Sequence, residues 1–102
     1  SADSSVHWLP ADIDTLQSLV DETLAPILDY DTERNSTMLE SLRVFFNHNR
    51  RLQTAAAELH VHKHTLSYRL NRIEQITGRD LSSMADLVPL WLALQAYEIV
   101  SE

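Results

Sequence analysis

The chemistry this chain can perform is concentrated in HVHKHTLSYRLNRIEQ, residues 60–75. That stretch combines imidazoles, an ammonium, hydroxyls, a phenol, two amides and two guanidiniums, groups that donate hydrogen bonds or carry positive charge. Such a set suits phosphates and the edges of bases. His60, His62 and His64 alternate and so raise metal ligation, but alternate residues diverge across a turn and a helix start. With no carboxylate or cysteine to complete a shell, the metal reading is disfavoured. There is no nucleophile elbow, phosphate-binding glycine loop or isolated carboxylate pair, so neither catalysis nor a cofactor is expected.

Two short helices joined by a tight turn must position these groups. Residues 53–59 offer Ala55, Ala56, Ala57 and Leu59, small side chains that let a second helix cross closely, while Glu58 faces solvent. After His60-Val61-His62, Leu66, Leu70, Ile73 and Thr77 recur at a spacing that keeps one helix face on the core. At about 100° per residue His64, Tyr68, Asn71 and Gln75 then lie opposite, flanked by Lys63, Ser67 and Arg72. The pattern is that of a helix-turn-helix whose second helix, residues 63–77, is free to read DNA, with Gly78 placed to close it in the left-handed conformation. His60 stands in the turn where many such motifs use glycine, which implies positive φ.

The chain has 102 residues, 44% of them hydrophobic, with one Gly, three Pro and no Cys. That supports one modest core and an all-α, compact helical domain of about five helices. Stability must come from packing, since disulfides are impossible; the lack of Cys fits a reducing cytoplasm. No apolar run approaches the ~18 residues needed to span a bilayer, so no membrane partner is expected. The polar start, residues 1–10, reads as a disordered or cloning-derived tail, and residues 11–102 as the DNA-binding domain, the C-terminal part of a longer regulator. The net charge of −7 is unevenly spread. Residues 48–79 hold six basic groups against two acidic ones, whereas two basic residues face thirteen acidic ones elsewhere. An acidic remainder around a basic patch would orient the approach to DNA.

Around the motif, residues 12–28 form an amphipathic helix that Pro26 should end or kink near Leu24 or Ala25, and 29–35 read as a polar connection. Thr37-Met-Leu-Glu40 reads as a capping box opening a helix with Met38, Leu39, Leu42, Phe45 and Phe46 on its apolar face. Residues 47–51, with two Asn, break the pattern. Asp86 is expected to cap a last helix, to about Val100, with Pro89 tolerated in its first turn. That helix is apolar around nearly its whole circumference, so it is central or shared with another subunit.

These residues resemble the C-terminal helix-turn-helix domain of PucR-type transcriptional regulators, which include purine-catabolism and sugar-diacid regulators. Leu24-Ala-Pro-Ile-Leu-Asp-Tyr-Asp31 is similar to that family's "LxPLLxYD", and Met38-Leu-Glu-Ser-Leu42 to its "LLETL". Val61-His-Lys-His-Thr-Leu-Ser-Tyr-Arg-Leu-Asn-Arg-Ile-Glu74 resembles "VHRNTLxYRLxRIE", and Ile76-Thr-Gly-Arg-Asp-Leu81 resembles "LTGxDL". The resemblance implies a bacterial regulator domain that binds operator DNA behind a region sensing a small-molecule inducer, and often activates catabolic genes. His64 replaces the family's usual Asn, and Ser67 stands where a basic residue is common. An imidazole in place of an amide and the loss of a charge bear on the target sequence.

Lys63 and His64, at the helix start, are candidates for base edges, with Ser67, Tyr68 and Asn71 one turn on, and Lys63, His64 and Ser67 come first among them. Tyr68 reaches a phosphate through its hydroxyl or a thymine methyl through its ring, or else packs on a neighbouring helix. Thr65 caps or braces the turn, or its hydroxyl meets a phosphate. His62 packs in the turn or touches a phosphate. Arg50, Arg51 and Arg72 are phosphate candidates, whereas Arg69, nearer the apolar stripe, either clamps an internal carboxylate or carbonyl or meets a phosphate, the clamp being favoured. Double-stranded DNA is the expected partner, bound by a homodimer on half-sites ~34 Å apart. The competing reading is a protein-interaction or dimerisation module that does not bind DNA.

Overall fold

The computed structural model describes residues 12–102. The expected tail at residues 1–10, and Ala11 with it, lie outside the described residues. The described residues are all-α, with five helices in order: α1 (Ile13–Arg34), α2 (Met38–Asn47), α3 (Leu52–Glu58), α4 (Lys63–Thr77) and α5 (Met84–Val100). The described residues divide into two compact units, one of residues 12–25 with Leu81–Glu102 and the other Pro26–Asp80.

In the second unit α3 packs on α4, and α2 packs on both. Its buried apolar residues include Ile27, Met38, Leu42, Val44, Phe45, Ala55, Ala56, Leu66, Leu70 and Ile73. Of the small residues in the first motif helix, Ala55 and Ala56 are buried as a close crossing requires, while Ala57 is exposed. In α2 Met38, Leu42 and Phe45 are buried, and Leu39 and Phe46, also expected on that face, only half so. The other unit buries Leu16, Val20 and Leu24 of α1 and Leu87, Leu90, Ala93, Leu94 and Ala96 of α5.

Three expectations at helix ends need correction. Pro26 does not end the first helix; α1 runs through it to Arg34, so the expected polar connection at 29–35 is helical but for its last residue. Leu24 and Ile27, on either side of the proline and on one face, are fully buried, and their burial outweighs a single lost hydrogen bond. Glu22, whose carbonyl loses that bond, lies on an exposed face where water is available.

Thr37 precedes α2 but its side chain makes no cap hydrogen bond, and Glu40 pairs with Arg43 at 2.6 Å instead of reaching back. The cap comes from Asp31, which accepts from the amides of Met38 at 2.8 Å and Leu39 at 3.0 Å and from the Ser36 hydroxyl at 2.6 Å. A carboxylate in the last turn of α1 thus satisfies the orphan donors of the next helix.

In α5 the cap position belongs to Ser83, and Asp86 lies within the first turn. Pro89 sits beyond that turn and the helix still continues to Val100. The carbonyl it leaves unpaired belongs to Ala85, which is exposed.

Helices α1, α2 and α3 end alike. Asn35 (φ 51°), Asn49 (φ 56°) and His60 (φ 58°) adopt the left-handed conformation just past each helix. The amide after each bonds back five residues, Ser36 to Asp31, Arg50 to Phe45 and Val61 to Ala56. This is the Schellman closure, which Asn tolerates better than most residues.

Candidate nucleic-acid interface

The turn between α3 and α4 is built from His60 and His62. His60 takes the positive φ expected of it, and the closure sends the chain sharply out of α3. His62, in extended conformation, then caps α4: its Nδ1 accepts the His64 amide at 3.0 Å. Accepting there requires Nδ1 to be unprotonated, so the cap uses neutral imidazole with its hydrogen on Nε2. The His64 ring lies beside it, centroids 4.6 Å apart. Thr65 is exposed and does not cap the helix; the bracing role falls to His62. Among the described residues no group of three or more His, Cys, Asp or Glu could hold a metal ion.

From this start α4 separates its faces. Leu66, Leu70 and Ile73 are buried, while Lys63, His64, Tyr68, Asn71 and Gln75 are exposed. Ser67 lies half-buried at the margin. Its far end is closed by Gly78 at φ 71°, whose amide donates to the Glu74 carbonyl at 2.8 Å. Thr77 braces that end, donating to the Ile73 carbonyl at 2.7 Å and accepting the Arg79 amide at 3.2 Å.

The arginines differ in role. Arg69 turns inward and donates to the Ser41 hydroxyl at 3.1 Å; Ser41, fully buried, in turn donates to the Thr37 carbonyl at 2.9 Å. That chain ties α4 to the start of α2, a structural use of the guanidinium. Arg72 instead lies along α4 and donates to the Tyr68 hydroxyl at 3.0 Å. Arg50 and Arg51 are exposed in the link between α2 and α3, and His48 beside them meets Glu58 at 2.6 Å. Arg50 also holds φ 63°, a conformation costly for a residue with a Cβ.

Lys63 and His62 line an open concavity of about 410 Å³ together with Gln53, Ala56, Ala57 and Val61. It brings the exposed starts of α3 and α4 to one surface. Gln53 was not among the residues singled out from the sequence; its place one residue inside α3 was the available signal. Arg50 and Arg51 do not line the concavity, so the expected contacts fall into two groups, one along α4 and one in the α2–α3 link.

Comparison with known proteins agrees with this architecture. The PucR C-terminal helix-turn-helix domain matches residues 38–96. The transcriptional activator PmfR of Paenarthrobacter nicotinovorans is 49% identical over 72 residues, 70% of this chain and 15% of that protein. The carbohydrate diacid regulator of Escherichia coli is 36% identical over 93 residues, 88% of this chain and 24% of that protein. The DNA-binding transcriptional activator AdeR of Bacillus subtilis is 33% identical over 73 residues, 72% of this chain and 17% of that protein. The chain therefore spans no more than about a quarter of the length of these relatives. No solved structure matches significantly. With the family's motif covering α2 through most of α5, the chain belongs to the PucR C-terminal helix-turn-helix domain family, a family of transcriptional regulators.

Proposed function

We propose that the chain is the sequence-specific DNA-binding domain of a bacterial transcriptional regulator and that it inserts α4 in the major groove. The observation that carries this is the division of α4, whose apolar stripe is buried while Lys63, His64, Tyr68 and Asn71 form an unobstructed polar face. A helix presenting such a face fits the width of the groove, with its N-terminal residues nearest the bases. Lys63, His64, Ser67 and Asn71 then select sequence, while Tyr68, Arg72, His62, Thr65, Arg50 and Arg51 serve the backbone. The activators among the relatives support activation as the sign of regulation.

On this reading the protein is cytoplasmic, is not an enzyme, and receives its inducer signal from a region outside this chain. It acts as a homodimer on paired half-sites. No helix among the described residues is long and apolar enough to cross a membrane.

Methylation interference on the gene's upstream duplex tests the docking. Methyl groups on guanine N7, in the major groove, should block binding at two clusters about one helical turn, ~34 Å, apart, while adenine N3 methylation in the minor groove should not. Interference confined to adenine N3 would reject major-groove docking, and a single cluster would reject the dimer.

A further inference from the structure

Tyr68 and Arg72 stand one turn apart on α4 in a geometry more specific than that of two solvated side chains. Arg72 Nη2 donates to the Tyr68 hydroxyl at 3.0 Å, and the guanidinium carbon lies 5.6 Å from the centroid of the ring. In that pose Arg72 Nε is buried without a hydrogen-bond partner. The arginine is therefore not arranged to satisfy its own donors; one end is committed to the tyrosine and another goes unpaired.

Tyr68 itself is 57% exposed. Because the guanidinium occupies a lone pair of the hydroxyl oxygen, the single hydroxyl hydrogen is left for an acceptor outside the protein. The hydrogen bond from Arg72, with the positive charges of Arg72 and Arg34, holds the phenol below the usual tyrosine range and makes it a stronger donor. Tyr30 and Arg34, at the end of α1, are the other titratable and charged groups that act on this pair. Arg34 lies 4.7 Å over the Tyr30 ring. A polarised O–H set among cations matches an anionic oxygen better than a neutral base edge.

We propose that Tyr68 donates its hydroxyl hydrogen to a DNA phosphate oxygen, and that Arg72 is a positioning residue that orients this hydroxyl instead of an independent phosphate contact. The inference rests on α4 being the DNA-facing helix. It replaces two separate contacts with one coupled unit.

The test is fluorescence anisotropy of the 102-residue chain with a fluorescein-labelled duplex carrying the sequence upstream of its gene. Wild type, Tyr68→Phe, Arg72→Lys, the double variant and Lys63→Glu are compared, each also melted by circular dichroism. Tyr68→Phe should weaken binding about tenfold, the scale of a hydrogen bond to a charged group, with an unchanged melt. Arg72→Lys, which keeps the charge, should weaken wild type several-fold but the Tyr68→Phe variant less than about twofold, because interacting residues are non-additive. Single methylphosphonates along the duplex should reveal one phosphate whose neutralisation costs wild type affinity and costs Tyr68→Phe none. Undiminished binding by Tyr68→Phe, equal losses from Arg72→Lys in both backgrounds, or a lowered Tyr68→Phe melt would overturn the proposal. If Lys63→Glu weakens binding while Tyr68→Phe does not, only this inference fails. If wild type does not bind, or Lys63→Glu binds as wild type does, the DNA-facing assignment of α4 fails with it.

Discussion

Helices α4 and α5 are close in length, fifteen and seventeen residues, yet they use their surfaces differently. In α4 what is left outside is polar, with charge and hydrogen-bonding groups in a row. In α5 five residues are buried, and among those left exposed are Met84, at 62%, and Val88. In the proposed docking, folding and recognition therefore lie on opposite faces of α4 and can be separated by substitution, whereas α5 is apolar on its buried and on part of its exposed surface. A stripe of three buried residues is enough to hold a helix whose other face is left exposed.

The largest effect on the buried face of α4 is expected from Leu66→Ala. Leu66 is fully buried, and truncation should cost about 2–5 kcal/mol, a large part of a small domain's stability. Urea unfolding measures it; a loss below about 1 kcal/mol would mean that the buried stripe of α4 is not what anchors it. Next in size is His62→Ala. Loss of the side-chain cap should lower stability by about 1 kcal/mol, and His62→Asn should restore most of it. An alanine variant as stable as wild type in thermal melts would show that the turn does not depend on the cap. The smallest effect has the opposite sign. At φ 63° Arg50→Gly should stabilise by a few tenths to about 1 kcal/mol while weakening DNA binding and flattening its salt dependence by about one ion. Stabilisation without loss of affinity would remove Arg50 from the interface.

How legible the chain was differs between its parts for a physical reason. Both limits of α4, Lys63 and Thr77, the left-handed Gly78 and the positive φ of His60 follow from local rules that residue type and spacing encode. The inward turn of Arg69 was likewise readable from its place beside the apolar stripe. What was hidden depends on residues distant in sequence. Asp31 caps a helix seven positions later, because the Schellman closure at Asn35 returns the chain to it. A local capping-box pattern at Thr37 and Glu40 lost to that remote carboxylate and to the Glu40–Arg43 pair. Pro26 was read as a helix breaker by its intrinsic chemistry, but burial of Leu24 and Ile27 around it decided otherwise. At the interface, residue types pointed to α4, but not to the bond that joins Tyr68 to Arg72, which depends on rotamers.

In the proposed docking the exposed face of α4 meets the phosphates and bases of duplex DNA. Anisotropy of wild type and Lys63→Glu with the upstream duplex, at about 50 and 200 mM salt, tests it most directly, because each phosphate contact contributes a counterion to the salt dependence. The expected result is wild-type binding that weakens steeply with salt, and a variant that binds at least tenfold more weakly with a shallower slope. Equal binding by the two proteins at both salt concentrations would mean that this face of α4 does not meet DNA.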